Sequence, residues 1–248
     1  MNKLFTICEI SQLLNVSMPT LRFWEEKGLF SVSKASNRYR QYTLNDLVHI
    51  ADVISYRNLG IPIKDVTSFK NCTVSEYRDC IEGIKGQLSK KINEYEQMYK
   101  RACVQESEIE TLLQLTRCEF SFEEIPFDTV AAFDYHEKEK LLQYTQRPNS
   151  YVRYFDTRDM SSEARGIVVE PGEDLQPVLW RKNPAVRYMT FLIKEKVEQD
   201  YLSNVNEKLD LIHQHYQTRN LLAKYLLTAT ENGERIDYMK AYLEVEKL

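Results

Sequence analysis

Ser17, Thr20 and Arg22 fall within six residues of one another, and Arg38, Tyr39, Arg40 and Tyr42 follow closely. Between Lys27 and Asn45 there are four basic residues and no acid. Guanidinium groups and hydroxyls suit phosphate oxygens, and an arginine can also form a bidentate pair with guanine. Alternating cations and aromatics at 38–42 suit a grip on a nucleic-acid backbone and minor groove. Over the whole chain of 248 residues the formal charge is −4, which hides this patch. Residues 1–75 carry +3 and the remainder −7, so charge placement matters more than the sum.

Such side chains need elements to aim them. Thr6 and Glu9 form a capping-box pattern opening a short helix with Ile7, Ile10, Leu13 and Leu14 on one side. Asn15-Val16 breaks it, Ser17 caps a second helix, and Gly28 stops that one. Leu29–Thr43 is predicted as two short strands around a polar tip at Ser33–Arg38. Thr43 and Asp46 open a helix to about Leu59, and Ile63–Phe69 is one more short helix after Pro62. Two helices across a three-residue break, then a basic hairpin, make a winged helix-turn-helix.

The runs FTICEISQLLNVSMPTLRFWEEKGLF, NRYRQYTLNDL and NLGIPIKDV resemble the DNA-binding domain of MerR-family transcription regulators over about 70 residues. The resemblance places Phe23 and Trp24 where the family usually has two tyrosines, and puts Lys64 where relatives reach a phosphate. Met18-Pro19 replaces the usual Pro-Arg, and Arg38 occupies a wing-tip place commonly held by glycine. Implied partners are double-stranded DNA with a pseudo-palindromic promoter operator, RNA polymerase, and a second copy of the chain. Activation by distorting a promoter with an over-long spacer is implied in the same way.

Thr73 and Glu76 begin the longest helical pattern, with apolar residues from Tyr77 to Thr116 mostly three or four apart. About 42 residues of helix would measure about 63 Å. The stripe suits antiparallel coiled-coil pairing with a second copy, as in MerR relatives. Gly83 and Gly86 each cost about 1 kcal/mol inside a helix, so its start is predicted to fray or kink.

From Glu119 onward, strands are predicted around Phe120–Ile125, Val130–Phe133, Tyr151–Phe155, Ile167–Glu170, Val186–Ile193, Tyr225–Thr230 and Tyr238–Val245. Helices are predicted at Glu137–Tyr144 and Gln199–Tyr216. The fold class is α+β: a winged helix-turn-helix (1–72), a dimerisation helix (73–117) and a mostly antiparallel effector domain (118–248). The phrases EEIPFDTVAAF, NSYVRYF, AVRYMTFLIK and YMKAYLEVEKL resemble the gyrase-inhibitor-like effector domain of drug-responsive MerR regulators, over about 130 residues.

Residues 118–248 hold ten of the 16 tyrosines, six phenylalanines and Trp180, the stock of an aromatic ligand pocket or of a core. The resemblance places Tyr151 and Tyr225 on the pocket of a small-molecule effector, with Tyr154, Trp180 and Tyr188 as further candidates. Relatives carry a glutamate on the last strand, where this chain has Ala241; Glu170 or Glu231 would have to substitute. A neutral or anionic effector is therefore as open as a cationic drug.

Seven glycines, with neither GxGxxG nor GxxxxGK[ST], argue against a phosphate-cradling nucleotide enzyme. No catalytic set, metal site or cofactor is expected, and His213 and His215 fall on different faces of a predicted helix. Five cysteines (Cys8, Cys72, Cys80, Cys103, Cys118) lack CxxC spacing and suit a reducing cytoplasm. Metal or redox sensing through those cysteines is the alternative, and weak hydrolysis in the effector domain a third. The N-terminus lacks a signal-peptide core, and no run is long enough to span a membrane.

Overall fold

The computed structural model describes residues 4–34 and 40–247. Chain packing divides it into two compact units, residues 1–97 and 98–248.

In the first unit, α1 (Ile7–Leu14) and α2 (Met18–Glu26) are the helix-turn-helix. Thr6 and Glu9 close a reciprocal capping box, and Asn15 turns the chain at φ 50, a left-handed conformation that asparagine tolerates well. Gly28, at φ 73, ends α2 where a side chain would be strained. The wing strands β1 (Ser33–Lys34) and β2 (Arg40–Gln41) pair antiparallel. The first strand thus falls where the polar tip was expected, and residues 35–39 lie outside the described residues. Thr43 and Asp46 box the start of α3 (Leu44–Asn58), and α4 (Ile63–Lys70) follows Pro62. Ile10, Leu21, Trp24, Tyr42, Ile50, Val53 and Val66 form the core.

Helix α5 (Val74–Arg117) has 44 residues, about 66 Å at 1.5 Å per residue. It opens on the Thr73–Glu76 box and runs unbroken through Gly83 and Gly86, so the expected break is absent. At both glycines a Cβ would meet open space; they cost propensity without breaking the hydrogen-bond ladder.

The second unit is one antiparallel sheet of nine strands. In chain order these are β3 (Ser121–Phe122), β4 (Thr129–Ala132), β5 (Tyr151–Asp156), β6 (Asp159–Val168), β7 (Val178–Arg181), β8 (Arg187–Lys196), β9 (Leu202–Ser203), β10 (Tyr216–Glu231) and β11 (Glu234–Lys247). The spatial order is β3-β8-β11-β10-β5-β6-β4-β7, with β9 beside β8. Helices α6 (Lys138–Gln146) and α7 (Val205–His213) complete the unit.

Several expected boundaries move. The helix predicted over Gln199–Tyr216 shrinks to α7, because Asp200 and Tyr201 take positive φ and Tyr216 already pairs with Lys247. His213 ends α7 and His215 lies beyond it. The strand predicted over Ile167–Glu170 is β6, which begins at Asp159 and ends before Glu170. Its polar start, Asp159–Glu163, is held as strand by pairing with β5, which no local propensity signals. Strand β7 has no counterpart among the expectations.

Alternation along the strands gives the sheet two unlike faces. One carries Phe155, Phe191, Ile193, Leu221, Met239, Ala241 and Leu243 against Leu209 and Ile212 of α7. The other carries Phe127, Trp180, Tyr188, Leu222 and Tyr242, and Leu192, Leu226 and Tyr238 around Leu115 of α5.

Candidate DNA-reading surface and effector pocket

Ser17 caps α2: its Oγ accepts the Thr20 amide at 3.2 Å, and the two hydroxyls lie 2.7 Å apart. They fix the entry angle of the helix, and Arg22 then projects from its exposed face. Among the described residues Arg22 holds no carboxylate. Phe23 is 44% exposed, with the Lys27 ammonium 5.5 Å from its ring centre. Lys64 is exposed on the first turn of α4.

Two expected surface residues face inward instead. Trp24 is buried against the core and Tyr42 is fully buried. In α2, Leu21 and Trp24 are three apart and share the buried face. Tyr42 bridges Phe5 backbone to backbone, which pulls its ring inside. The Tyr42 hydroxyl is the buried side-chain polar atom that finds no partner among the described residues. Burial raises its pKa, Glu25 adds to that, and Arg40 and Arg22 oppose it. Arg40 is not a free cation: its Nε donates to Glu25 Oε2 at 2.7 Å. That ion pair braces the wing strand β2 against α2. Arg38 and Tyr39 lie outside the described residues.

In the second unit, Tyr151 and Tyr225 line one cavity of about 410 Å³. Tyr135, Tyr144 and Tyr201 complete its aromatic wall, with Tyr144 and Tyr151 centroids 5.7 Å apart. Arg153 reaches from the same face of β5 as Tyr151 and is clamped by two carboxylates. Glu163 accepts from its Nε and Nη2 at 2.9 and 2.6 Å, and Glu195 accepts from its Nη1. Arg165 stacks over Tyr135 at 5.5 Å and touches Glu163 at 3.3 Å. The Tyr225 hydroxyl meets Thr228 Oγ1 at 2.8 Å, and Thr228 donates to Asp237.

Four carboxylates (Glu163, Glu195, Asp200, Asp237) face two guanidinium groups in this cavity, an excess of two acids. Burial pushes the Glu195 carboxyl up despite Arg153, and the nearby Glu163 and Asp237 add to it. Burial, with Tyr135 beside it, also raises the Tyr151 phenol. Such a floor attracts positive charge, and the five rings add cation–π attraction.

The other expected pocket residues lie elsewhere. Tyr154 is on the opposite face of β5, donating to Asn220 Oδ1 at 2.8 Å. Trp180 and Tyr188 are buried on that same opposite face. Glu170 sits in a loop 3.3 Å from Arg147, and Glu231 binds Lys194 and the Tyr238 hydroxyl. Strand alternation puts two of the four acids on the cavity's sheet face: Glu195 continues Phe191 and Ile193, and Asp237 precedes Met239 and Ala241. All five cysteines are free, and among the described residues no three His, Cys, Asp or Glu side chains gather as metal ligands. Among them, too, no helix is long and apolar enough to cross a membrane.

Residues 5–70 match the family model described as "MerR HTH family regulatory protein". The chain is 28% identical over 149 residues to the multidrug-efflux transporter 2 regulator of Bacillus subtilis (strain 168), covering 58% of this chain and 52% of that protein. It is also 28% identical over 74 residues to the multidrug-efflux transporter 1 regulator of the same organism, covering 29% and 27%. The chain thus spans about half the length of the first relative and about a quarter of the second. A cryo-EM structure of the EcmrR–DNA complex in EcmrR-RPo aligns over 97% of this chain and 99% of that one, at 18% identity and TM-score 0.34.

Proposed function

Residues 5–70 carry a MerR-type helix-turn-helix segment, and on that premise we propose that the chain is a sequence-specific transcription regulator that binds double-stranded DNA and senses a small aromatic molecule. The observation that carries this reading is Arg22, an open cation on the exposed face of a helix whose entry is fixed by the Ser17 cap. Arg22 reads a base edge or phosphate, Phe23 and Lys64 flank it, and Ser17 and Thr20 position the helix. Arg40 holds the wing against α2 through Glu25.

The regulator acts as a homodimer. Helix α5 leaves Leu88, Ile92, Tyr95, Tyr99, Ile109 and Leu113 exposed, mostly three or four apart. A second copy laid antiparallel covers such a stripe. Two-fold symmetry then predicts a pseudo-palindromic operator in a promoter used by RNA polymerase, and the setting is the cytoplasm.

The effector binds between Tyr151 and Tyr225. The acid excess and the aromatic wall favour a flat cation over a neutral or anionic molecule. Its affinity biases one DNA-bound conformation over another, which is how ligand energy becomes transcriptional output. No catalytic step is assigned to the chain.

The test is DNA selection from a random pool by the full-length protein, then anisotropy on the selected duplex. The expected result is a dyad-symmetric site bound by two copies, with loss of affinity in Arg22→Ala. A quaternary aromatic ammonium ion should alter the complex where its neutral and carboxylate isosteres do not. Selection of no preferred sequence would overturn the DNA assignment. An equal response to all three compounds, or one unchanged in Tyr225→Leu, would overturn the effector assignment.

A further inference from the structure

The sheet face opposite the Tyr151–Tyr225 cavity holds a glutamate that the proposed function does not use. Glu244 of β11 is 5% exposed. Its Oε1 accepts the Trp180 indole N–H at 3.2 Å, and its Oε2 accepts the Asn220 amide at 2.7 Å. Asn220 in turn accepts from the Tyr154 hydroxyl. Every donor in this chain is neutral, and among the described residues no cation pairs with Glu244. A buried carboxylate in that situation forfeits hydration without gaining a countercharge, a costly arrangement unless something else supplies one.

Glu244 is not sealed off. It lines a cavity of about 250 Å³ at the end of the sheet, together with Arg219, Arg158, Thr218 and Val186. Arg158 is committed to Asp156, its Nε donating at 2.9 Å. Arg219 is exposed, and among the described residues it holds no carboxylate. A β-bulge between Thr218 and Leu221 sets this corner; bulges re-aim side chains and break regular pairing. The same small cavity, which the exposed Glu246 also lines, therefore presents a buried carboxylate without a cation and an exposed guanidinium outside any ion pair, and the two do not pair with each other.

We propose that this cavity is a second binding site, separate from the effector pocket, for a small zwitterion of the α-amino-acid type. The ammonium group binds Glu244, and the carboxylate binds Arg219 at the rim. A space of this size is smaller than that of a drug-sized ligand. The opposed charges select a molecule carrying both signs over one carrying either alone, because a single-sign ligand leaves one protein charge uncompensated.

Trp180 reports on the site directly, since its indole N–H sits on Glu244. The chain has two tryptophans, so a Trp24→Phe protein carries Trp180 alone. This full-length protein is titrated with free α-amino acids, and with the amine and the carboxylic acid that match each one. The expected result is a saturable change in Trp180 emission with at least one amino acid. Arg219→Gln and Glu244→Gln should each weaken it at least about tenfold, and the single-charge analogues should bind at least about tenfold more weakly. Calorimetry on the unsubstituted protein gives the same comparison if Trp24→Phe does not fold. The exposed Arg219→Gln carries the test if Glu244→Gln does not fold. No saturable binding by any amino acid up to about 10 mM, amine binding equal to amino-acid binding, or unchanged affinity in Arg219→Gln would overturn the proposal. Tyr225→Leu must leave the response intact; its loss there would assign the signal to the other cavity and overturn the second site.

Discussion

The two units handle positive charge in opposite ways. In the N-terminal unit Arg22 and Lys64 stand on exposed surface without a carboxylate among the described residues, whereas Arg40 is tied down, to Glu25. In the sheet unit the cations are mostly engaged: Arg153 with Glu163 and Glu195, Lys224 with Glu108, Lys240 with Glu123 and Lys194 with Glu231. An open cation is available to an outside anion and contributes little to the fold. An engaged, buried one shapes the fold, and its removal strands a carboxylate. The contrast separates residues that bind from residues that build. Arg219, on the exposed surface of the sheet unit, is among the cations there that hold no carboxylate among the described residues.

The sharpest way to break this contrast is Arg153→Met. It leaves Glu195 buried without its partner and should cost about 3–5 kcal/mol of stability, read by urea unfolding of the full chain; a loss under about 1 kcal/mol would dissolve the distinction. Arg22→Ala should do the reverse. DNA affinity should fall by about 1–3 kcal/mol and the salt slope by about 1, while unfolding shifts by less than about 0.5 kcal/mol. Arg40→Gln falls between the two, since its ion pair is partly solvated: about 0.2–1 kcal/mol of stability should go. Its DNA affinity should fall together with that of Glu25→Gln, and the double substitution should lose little more than either single one. Additive losses would make Arg40 a direct contact and the brace incidental.

The smallest effect concerns pH. Hydrogen bonds from the Arg158 guanidinium and backbone, ahead of the opposing influence of burial, hold the Asp156 carboxyl at about 2 against an ordinary 3.8. A depressed carboxylate stabilises the fold above its unfolded value, and that contribution disappears as pH falls through about 2. In Arg158→Gln the titration should move up towards 3.8, followed by carboxyl carbon NMR. A midpoint that stays near 2 would assign the depression to other groups.

Much of the N-terminal unit was legible because its signals are local. The Thr6–Glu9, Thr43–Asp46 and Thr73–Glu76 boxes each span four residues, and each one forms as written. Trp24, placed by the resemblance, and Tyr42, placed by the cation–aromatic alternation at 38–42, face inward because burial is decided by the partner: Leu21's face of α2 for one, the Phe5 bridge for the other. In the sheet unit the resemblance named Tyr151 and Tyr225, which share a cavity, but the other residues lining it come from strands brought together over long sequence distances. Arg153 meets Glu195 across 42 residues, a separation no window of sequence reveals. Asp159–Glu163 reads as a polar loop and becomes strand because β5 supplies the missing hydrogen bonds. Helical periodicity over Gln199–Tyr216 similarly lost to the left-handed pair Asp200–Tyr201 and to β11 claiming Tyr216.

The order of the strands carries one last consequence, for life at high concentration. The longest strands, β10 with 16 residues and β11 with 14, are neighbours in the interior of the sheet. The ends of the path are β3, with two residues, and β7, with four. A sheet edge recruits foreign chains in proportion to the length of unpaired backbone it displays. Here β10 lies between β11 and β5, and β11 between β8 and β10, so the two longest strands are covered on both sides, and the outermost strands are too short to template another molecule. Deleting β3 would uncover Met189 and Thr190 of β8, the two residues it pairs, and the route to aggregation would open along the apolar run Met189–Ile193 at that edge.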